Sequence, residues 1–309
     1  MTTPSNKKSA AISGLRQRMI DDMTARKLQP ATQRGHLRGC KRFTAWLGRS
    51  PDTATADDVR SFQLHLAETG LSITTRNQTM TGVKFLFRVT LRRHDLAAEI
   101  YHLREPQKVP LTMSRQEVER LLAMARATKT KAMLSLSYGC GLRAGEVVRL
   151  KVGDIDSDQN IIRVVQAKGR KDRHVMLPPD VLDLLRQWWK ERPTCHDGEM
   201  APGERWLFPG RSPWRPLTTR QFGRLFLQTA EAAGIKKPVT LHTLRHSFAT
   251  HLLEDGVDIR KIQALLGHDK LETTARYTRV ATGMIAEIAS PLDVLGDSGR
   301  KRKGKKRSP

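Results

Sequence analysis

Apolar residues recur at helical spacing through the first third of the chain. Ile12, Leu15, Met19 and Met23 mark one stripe, and Leu37, Cys40, Phe43 and Leu47 mark a second, the period of helices that bury one face. Pro30 suits the first turn of the second helix, where its missing N–H costs nothing. Thr55-Ala-Asp-Asp58 has the form of a capping box, so it opens a third helix through Val59, Phe62 and Leu66 that should stop at Gly70. A fourth helix runs through Met80, Val83 and Phe87 to Leu91. The pattern predicts a small four-helix bundle over residues 12–101, with space for a short fifth helix. Residues 102–113 contain Pro106 and Pro110 and no periodicity, which marks a linker.

A second domain is expected over residues 114–295, opened by a helix that Ser114-Arg-Gln-Glu117 caps. Only between 155 and 178 does the pattern turn to β. A turn at Asp156-Ser-Asp-Gln-Asn160 precedes the β-branched run Ile161-Ile-Arg-Val-Val165, then a Gly-containing turn and Arg173-His-Val-Met-Leu177. That sequence predicts a hairpin with Lys168 near its turn. An irregular stretch rich in Pro and Gly over 193–216 follows, then helices near 219–233, 241–254, 259–266 and 272–279. The fold class expected is mainly α with a small antiparallel β element: an N-terminal helical bundle and a mixed α+β domain. The basic tail, 296–309, holds seven Lys or Arg in the eight positions 300–307. Like charges at that density should keep it disordered when free, and a phosphate-binding arm, a solubilising end or an import signal would each fit it.

Charge narrows the class of partner. Lys and Arg number 55 against 31 Asp and Glu, a formal net charge of +24 over 309 residues, which favours a polyanion. Some of this excess belongs to ordinary solvated helix faces. On the bundle, Arg34, Arg38, Lys41, Arg42, Arg76, Lys84 and Arg88, followed by Arg92 and Arg93, fall on outward faces, spaced to track a DNA backbone. Cys40, Cys140 and Cys195 are odd in number and lack C-x-x-C spacing, which argues against a disulfide framework or a zinc module and fits a reducing cytoplasm. The first residues form no signal peptide, and no apolar run approaches the roughly 18 residues of a membrane span. A cytoplasmic protein without membrane contact is expected.

The residues that carry chemistry lie in separated elements. Leu241-His-Thr-Leu-Arg-His246, Leu265-Leu-Gly-His268 and Ala275-Arg-Tyr-Thr278 follow Cys140-Gly-Leu-Arg143-Ala-Gly-Glu146 and Ala167-Lys168-Gly-Arg-Lys-Asp-Arg173. Attack on a phosphodiester adds charge to its non-bridging oxygens, which fixed cations stabilise. Arg143 and Arg245 offer planar pairs of donors and stay charged. His242 lies three residues before Arg245, on the same helical face, and His268 follows a glycine suited to end a helix. Tyr277 can attack once its proton is accepted or its oxyanion stabilised. A departing sugar oxygen needs a proton, which a lysine on the hairpin turn can supply. Lys168 is the choice, with Lys171 left open by spacing alone. Glu146 is suited to orienting an arginine or histidine. Tyr138 sits in an apolar run and reads as core, and His246 and His251 read as helix-packing or capping residues. His242 and His246 have zinc-helix spacing, but no Glu follows His242 and Arg245 would repel a dication, so no metal is assigned.

In order and spacing these elements resemble the active site of the tyrosine recombinases, the phage-integrase family of strand-exchange enzymes, over about residues 14–295. The resemblance implies a SAM-like core-binding domain followed by the family's catalytic domain. Arg143 and Arg245 would be its catalytic arginines, Lys168 its hairpin lysine, His242 and His268 its two histidine positions, Glu146 a supporting carboxylate, and Tyr277 the nucleophile that forms a 3′-phosphotyrosyl bond. It also implies that no ATP or metal cofactor is needed. The two domains would close on double-stranded DNA, and a protein monomeric in solution would act as a homotetramer on paired sites through a Holliday junction. With the bundle starting inside the first fifteen residues, no arm-binding domain is expected, which favours a simple recombinase. The end of the chain, 237–295, resembles integron integrases, although the insertion those enzymes carry before the His-x-x-Arg motif looks shortened. A nickase like the type IB topoisomerases shares the chemistry, and an architectural DNA-binding protein on a disabled recombinase fold is the alternative outside enzymes.

Overall fold

In the computed structural model, which describes residues 14–106, 109–165, 172–192, 200–212, 214–267, 274–275 and 277, the first of two units ends at residue 107. Its helices are α1 (Gly14–Ala25), α2 (Pro30–Leu47), α3 (Ala56–Glu68), α4 (Ile73–Phe85) and the short α5 (His94–Ala98). Pro30 stands in the first turn of α2, and Gly48 ends that helix at φ 72 with its N–H bonded to the Thr44 carbonyl. The Thr55–Asp58 capping box forms in both directions. The fourth helix departs from the sequence expectation, because its α-helical part stops at Phe85 and continues as a π-helical turn over Leu86–Thr90. That turn places Leu86, Phe87 and Thr90 in the interior while Arg88 stays exposed.

The bundle core is aromatic. Phe43, Phe62 and Phe87 are fully buried, with Phe43 edge-on to Phe62 at 5.0 Å and to Phe87 at 5.8 Å between ring centroids, the geometry that ring quadrupoles favour. Helices α2 and α4 approach until backbone meets backbone. A Cβ on Gly39 would lie 2.6 Å from the Thr79 carbonyl oxygen, and one on Gly82 would lie 2.6 Å from that of His36. The basic residues beside this contact differ in their freedom. Arg34, Arg38 and Lys41 are exposed. Arg42 reaches Thr79 Oγ1 at 3.2 Å, and Arg76 is half-buried. Lys84, expected to face outward, is also half-buried, and its ammonium donates to the Ile100 carbonyl at 2.9 Å. Lys84 and Arg88, with Arg26, His36, Arg92 and His94, line a cavity of about 740 Å³.

The second unit is built on α6 (Arg115–Met124), α7 (Thr128–Gly139), α8 (Ala144–Val147), α9 (Pro179–Glu191), α10 (Thr219–Ala232), α11 (Leu241–Glu254) and α12 (Ile259–Leu266). The Ser114–Glu117 and Thr218–Gln221 boxes cap α6 and α10. Helix α7 buries Thr130, Ala132, Met133, Leu134, Leu136 and Ser137, with only Lys131 exposed, and so lies at the centre of this unit. The expected hairpin is a three-stranded antiparallel sheet instead, because the short β1 (Ile155–Asp156) joins β2 (Ile161–Val164) and β3 (Arg173–Met176) in the order β1-β2-β3. Ile162 and Val164 turn inward while Arg163 faces solvent, the alternation of a half-buried strand. Tyr138 packs at the core edge, and its hydroxyl contacts His251 Nδ1 at 2.9 Å. The expected helix over 272–279 lies outside the described residues except for 274, 275 and 277, as does the tail.

The α2–α4 contact gives a paired test. Gly82→Ala should destabilise the bundle by about 1–3 kcal/mol, since backbone must move to admit the methyl group. Gly35, on the same α2, has nothing within 4 Å of the place its methyl group would take, so Gly35→Ala should gain up to about 1 kcal/mol from helix propensity. Urea unfolding of each variant, with amide exchange of α2 to locate the transition, checks both signs.

Candidate active site

A buried carboxylate organises the second unit. Glu146 has a side chain only 4% exposed, and it closes the short α8 by accepting from the Arg143 backbone N–H at 2.8 Å. The same carboxylate accepts Arg143 Nη1 at 2.8 Å. It also takes the two ends of the Arg173 guanidinium, at 2.9 and 2.8 Å, and lies 4.0 Å from Arg245 Nη1. Burial by itself would raise the carboxyl pKa. The hydrogen bonds and charge of Arg173, then the contacts from Arg143, outweigh burial and hold it at about 2.

The arginines are fixed from a second side by the end of α12. A helix leaves its last carbonyls without intrahelical partners, and here three successive ones are taken by three different arginines. Leu265 accepts Arg173 Nε at 2.9 Å, Leu266 accepts Arg245 Nη2 at 2.5 Å, and Gly267 accepts Arg143 Nη2 at 3.5 Å. Gly267 ends the helix at φ +60, where a Cβ would press on Arg173 Cδ at 2.8 Å, so glycine is needed both for conformation and for space. Arg245 also donates to the Gly141 carbonyl at 2.6 Å. Burial first, and the Arg143 charge next, lower Arg245 to about 9, which still leaves it a cation at neutral pH. The cluster joins three guanidinium groups to one carboxylate, an excess of positive charge that suits an anion.

Histidines and a tyrosine border this cluster. His242, in the first turn of α11, is accessible to solvent. Desolvation and then the Arg245 and Arg143 charges lower its pKa, so it is neutral at pH 7 and can donate one N–H. One turn on, His246 sits 6.2 Å from the His242 ring. Its Nδ1 is 3.0 Å from the Tyr277 hydroxyl, a contact that replaces the packing or capping role expected from sequence. Tyr277 is 3% exposed and packs with Phe248, Ala249 and Leu266. The structure thus brings Arg143, Glu146, Arg245 and His242 together, with Tyr277 beside them on His246. Lys168, Lys171 and His268 lie outside the described residues. Sequence reasoning missed Arg173 and His246. Arg173 had no local signal, whereas the four-residue spacing of His246 from His242 was read only as a metal-helix pattern and set aside.

Comparison with known proteins gives the family of the chain. Residues 112–284 match the model of the phage integrase family, and residues 15–95 match that of the phage integrase N-terminal SAM-like domain. The chain belongs to the phage integrase family of tyrosine recombinases. It is therefore a site-specific recombinase that breaks and rejoins DNA strands. y4qK of Sinorhizobium fredii, assigned by its name to the integrase/recombinases, is 40% identical over 91% of this chain and 89% of its own length. Tyrosine recombinase XerA of Thermococcus kodakarensis is 36% identical over 81% of this chain and 85% of its own length. In fold, the recombinase resembles the Tn1549 transposon integrase solved with transposon right end DNA, at a TM-score of 0.66 and 19% identity over 93% of this chain and 98% of the other. Among the described residues no helix is long and apolar enough to cross a membrane.

The carboxylate predicts a pH signature. Its pKa is lower folded, at about 2, than in an unfolded chain, at about 4.3. The stability it contributes is therefore complete above the unfolded value and is lost as pH falls through the folded one. Glu146→Gln should be less stable than the parent by on the order of 3 kcal/mol at pH 7, with the gap closing between about pH 4 and pH 2. Urea unfolding of both proteins as a function of pH checks it.

Proposed function

We propose that this recombinase cuts double-stranded DNA with Tyr277, using Arg143, Arg245, His242 and His268 to hold the scissile phosphate and Lys168 to protonate the leaving oxygen. The observation that carries this reading is the cluster in which Arg143 and Arg245 share one buried carboxylate and one helix end while Tyr277 lies beside them. The Tyr277 oxygen forms a new bond to phosphorus and the bond to the 5′ oxygen breaks, leaving a 3′-phosphotyrosyl link. The phenolic proton passes to a basic acceptor, for which His246 Nδ1 is already within hydrogen-bond distance, and the 5′ oxygen takes a proton from Lys168. Rejoining reverses these transfers, so no external energy source, ATP or metal, enters the balance. Because Tyr277 is buried, its segment must move outward for the oxygen to meet a phosphate.

On this reading, Arg34, Arg38, Lys41, Arg42, Arg76 and Arg88 contact the DNA backbone. Lys84 contributes the least, since its ammonium is engaged at Ile100. Four protomers assembled on two sites would exchange strands through a Holliday junction in the cytoplasm. The motifs of 237–295 favour a kinship with integron integrases within the family. A nickase would relax circles without joining two sites, and reciprocal joints between two DNA molecules separate the recombinase from it.

Tyr277→Phe should keep DNA binding and lose all protein-linked DNA on a nicked suicide substrate, whereas Tyr101→Phe and Tyr138→Phe should still form the adduct. An adduct from Tyr277→Phe would overturn the nucleophile. Lys168→Ala should slow cleavage about 10²- to 10⁴-fold, the range of a lost general acid, and far more than Lys171→Ala. A substrate with sulfur in place of the bridging 5′ oxygen needs no protonation to depart, so it should restore cleavage selectively in Lys168→Ala. Equal restoration of both lysine variants would remove Lys168 from the role.

A further inference from the structure

Arg173 is the arginine of the cluster with no place in the reaction above, and all three of its guanidinium nitrogens are engaged. Its side chain is 9% exposed. It starts β3 and pairs with Val164 across the sheet, so it stands at the base of the β2–β3 connection whose sequence carries Lys168. From there its guanidinium makes a two-pronged bond to Glu146, and its Nε caps Leu265 at the end of α12. These contacts join residues 27 and 92 positions apart in the chain. Three pieces of the site thereby meet on one side chain: the strand leading out of the hairpin turn, the carboxylate that aims Arg143, and the helix end that precedes His268.

We infer that Arg173 is a positioning residue for DNA cleavage, holding Glu146 ionised and two-pronged so that Arg143 and the end of α12 keep the geometry the phosphate requires. The physical reason lies in the charge balance. Glu146 is too deeply buried to remain a carboxylate unless cations face it, and among the described residues those that do are Arg143 on its own short helix, Arg173 on β3 and Arg245 on α11, with His242 further out on α11. Of the three arginines, only Arg173 gives both ends of its fork to the carboxylate. Arg143 places one nitrogen there and keeps 20% of its side chain exposed. Arg173 thus supplies most of the neutralisation and leaves Arg143 available. A lysine, with one point charge, could not hold both carboxylate oxygens and the Leu265 carbonyl together.

The inference rests on Tyr277-dependent cleavage, which the adduct in the parent protein and its loss in Tyr277→Phe test separately. Arg173→Met, Arg173→Lys and the double variant Arg173→Met/Glu146→Gln are compared with the full-length parent for affinity and for the single-turnover rate of adduct formation across pH. Arg173→Met should cleave roughly 10- to 100-fold more slowly at saturating protein, by analogy with the loss when a hydrogen-bond partner of a metal-binding side chain is removed, with DNA affinity little changed. It should also show a further acid limb beyond the parent's own pH dependence, because without Arg173 the buried carboxyl protonates at higher pH. The double variant, whose amide cannot titrate, should lack that limb. Arg173→Lys, which keeps a cation and is the variant best able to fold, should lose rate with a flatter pH profile than Arg173→Met. A parent-like rate in either single variant would overturn the inference. So would a loss by the same factor at every pH that Glu146→Gln leaves unaltered, since that is the behaviour of a residue that only stabilises the fold.

Discussion

The catalytic unit depends on keeping one carboxylate charged where little water reaches it. Glu146 can be an anion only because arginines face it from three separate elements, and those arginines can be packed close together only because an anion lies between them. Neither side of this arrangement is stable without the other. Removing one partner leaves a buried charge without compensation, which costs far more than the contact itself contributes. The same mutual dependence makes the site stiff, since each guanidinium is held by a carboxylate oxygen, a carbonyl or both.

The end of α12 supplies the second constraint. Its last carbonyls need donors, and the negative end of the helix dipole favours cations there. Arg173, Arg245 and Arg143 meet that need on Leu265, Leu266 and Gly267 in turn. A requirement of helix termination thus becomes a device that aligns three guanidinium groups, and the glycine that ends the helix leaves room for Arg173 to pass. The cluster keeps a net positive charge after Glu146 is counted, and a phosphodiester gaining charge in a transition state is the anion that would complete it.

The N-terminal unit reaches a similar closeness by other means. Its α2–α4 contact is set by Gly39 and Gly82, where any side chain would strike the facing backbone, and the aromatic group of Phe43, Phe62 and Phe87 fills the space behind it. Close approach of these helices brings cations onto one cavity rim, and the π-helical turn re-aims Arg88 without exposing Phe87. The cost of gathering like charges is low because most of them remain in water.

Much of this protein was legible from local sequence. The apolar period marked the helices of the bundle, and the Thr55–Asp58 and Ser114–Glu117 boxes marked helix starts that the structure contains, because a cap satisfies donors only three residues away. The residue types of the site and their order also belong to the sequence, since phosphate chemistry asks for arginine, histidine, lysine and tyrosine by their charge and pKa. What tertiary structure alone decided is which of many arginines meets which partner. Arg173 looked like one more cation beside the hairpin until folding carried it to Glu146 and Leu265. His246 looked like a packing residue until the chain returned to it 31 positions later with Tyr277. Lys84 sat on an outward stripe, yet the turn after α5 brings the Ile100 carbonyl to its ammonium. Periodicity and capping register hydrogen bonds within a few residues. Pairing among side chains far apart in the chain depends on how whole elements pack, and that packing is fixed by the summed burial of the core, which no single stretch of sequence displays.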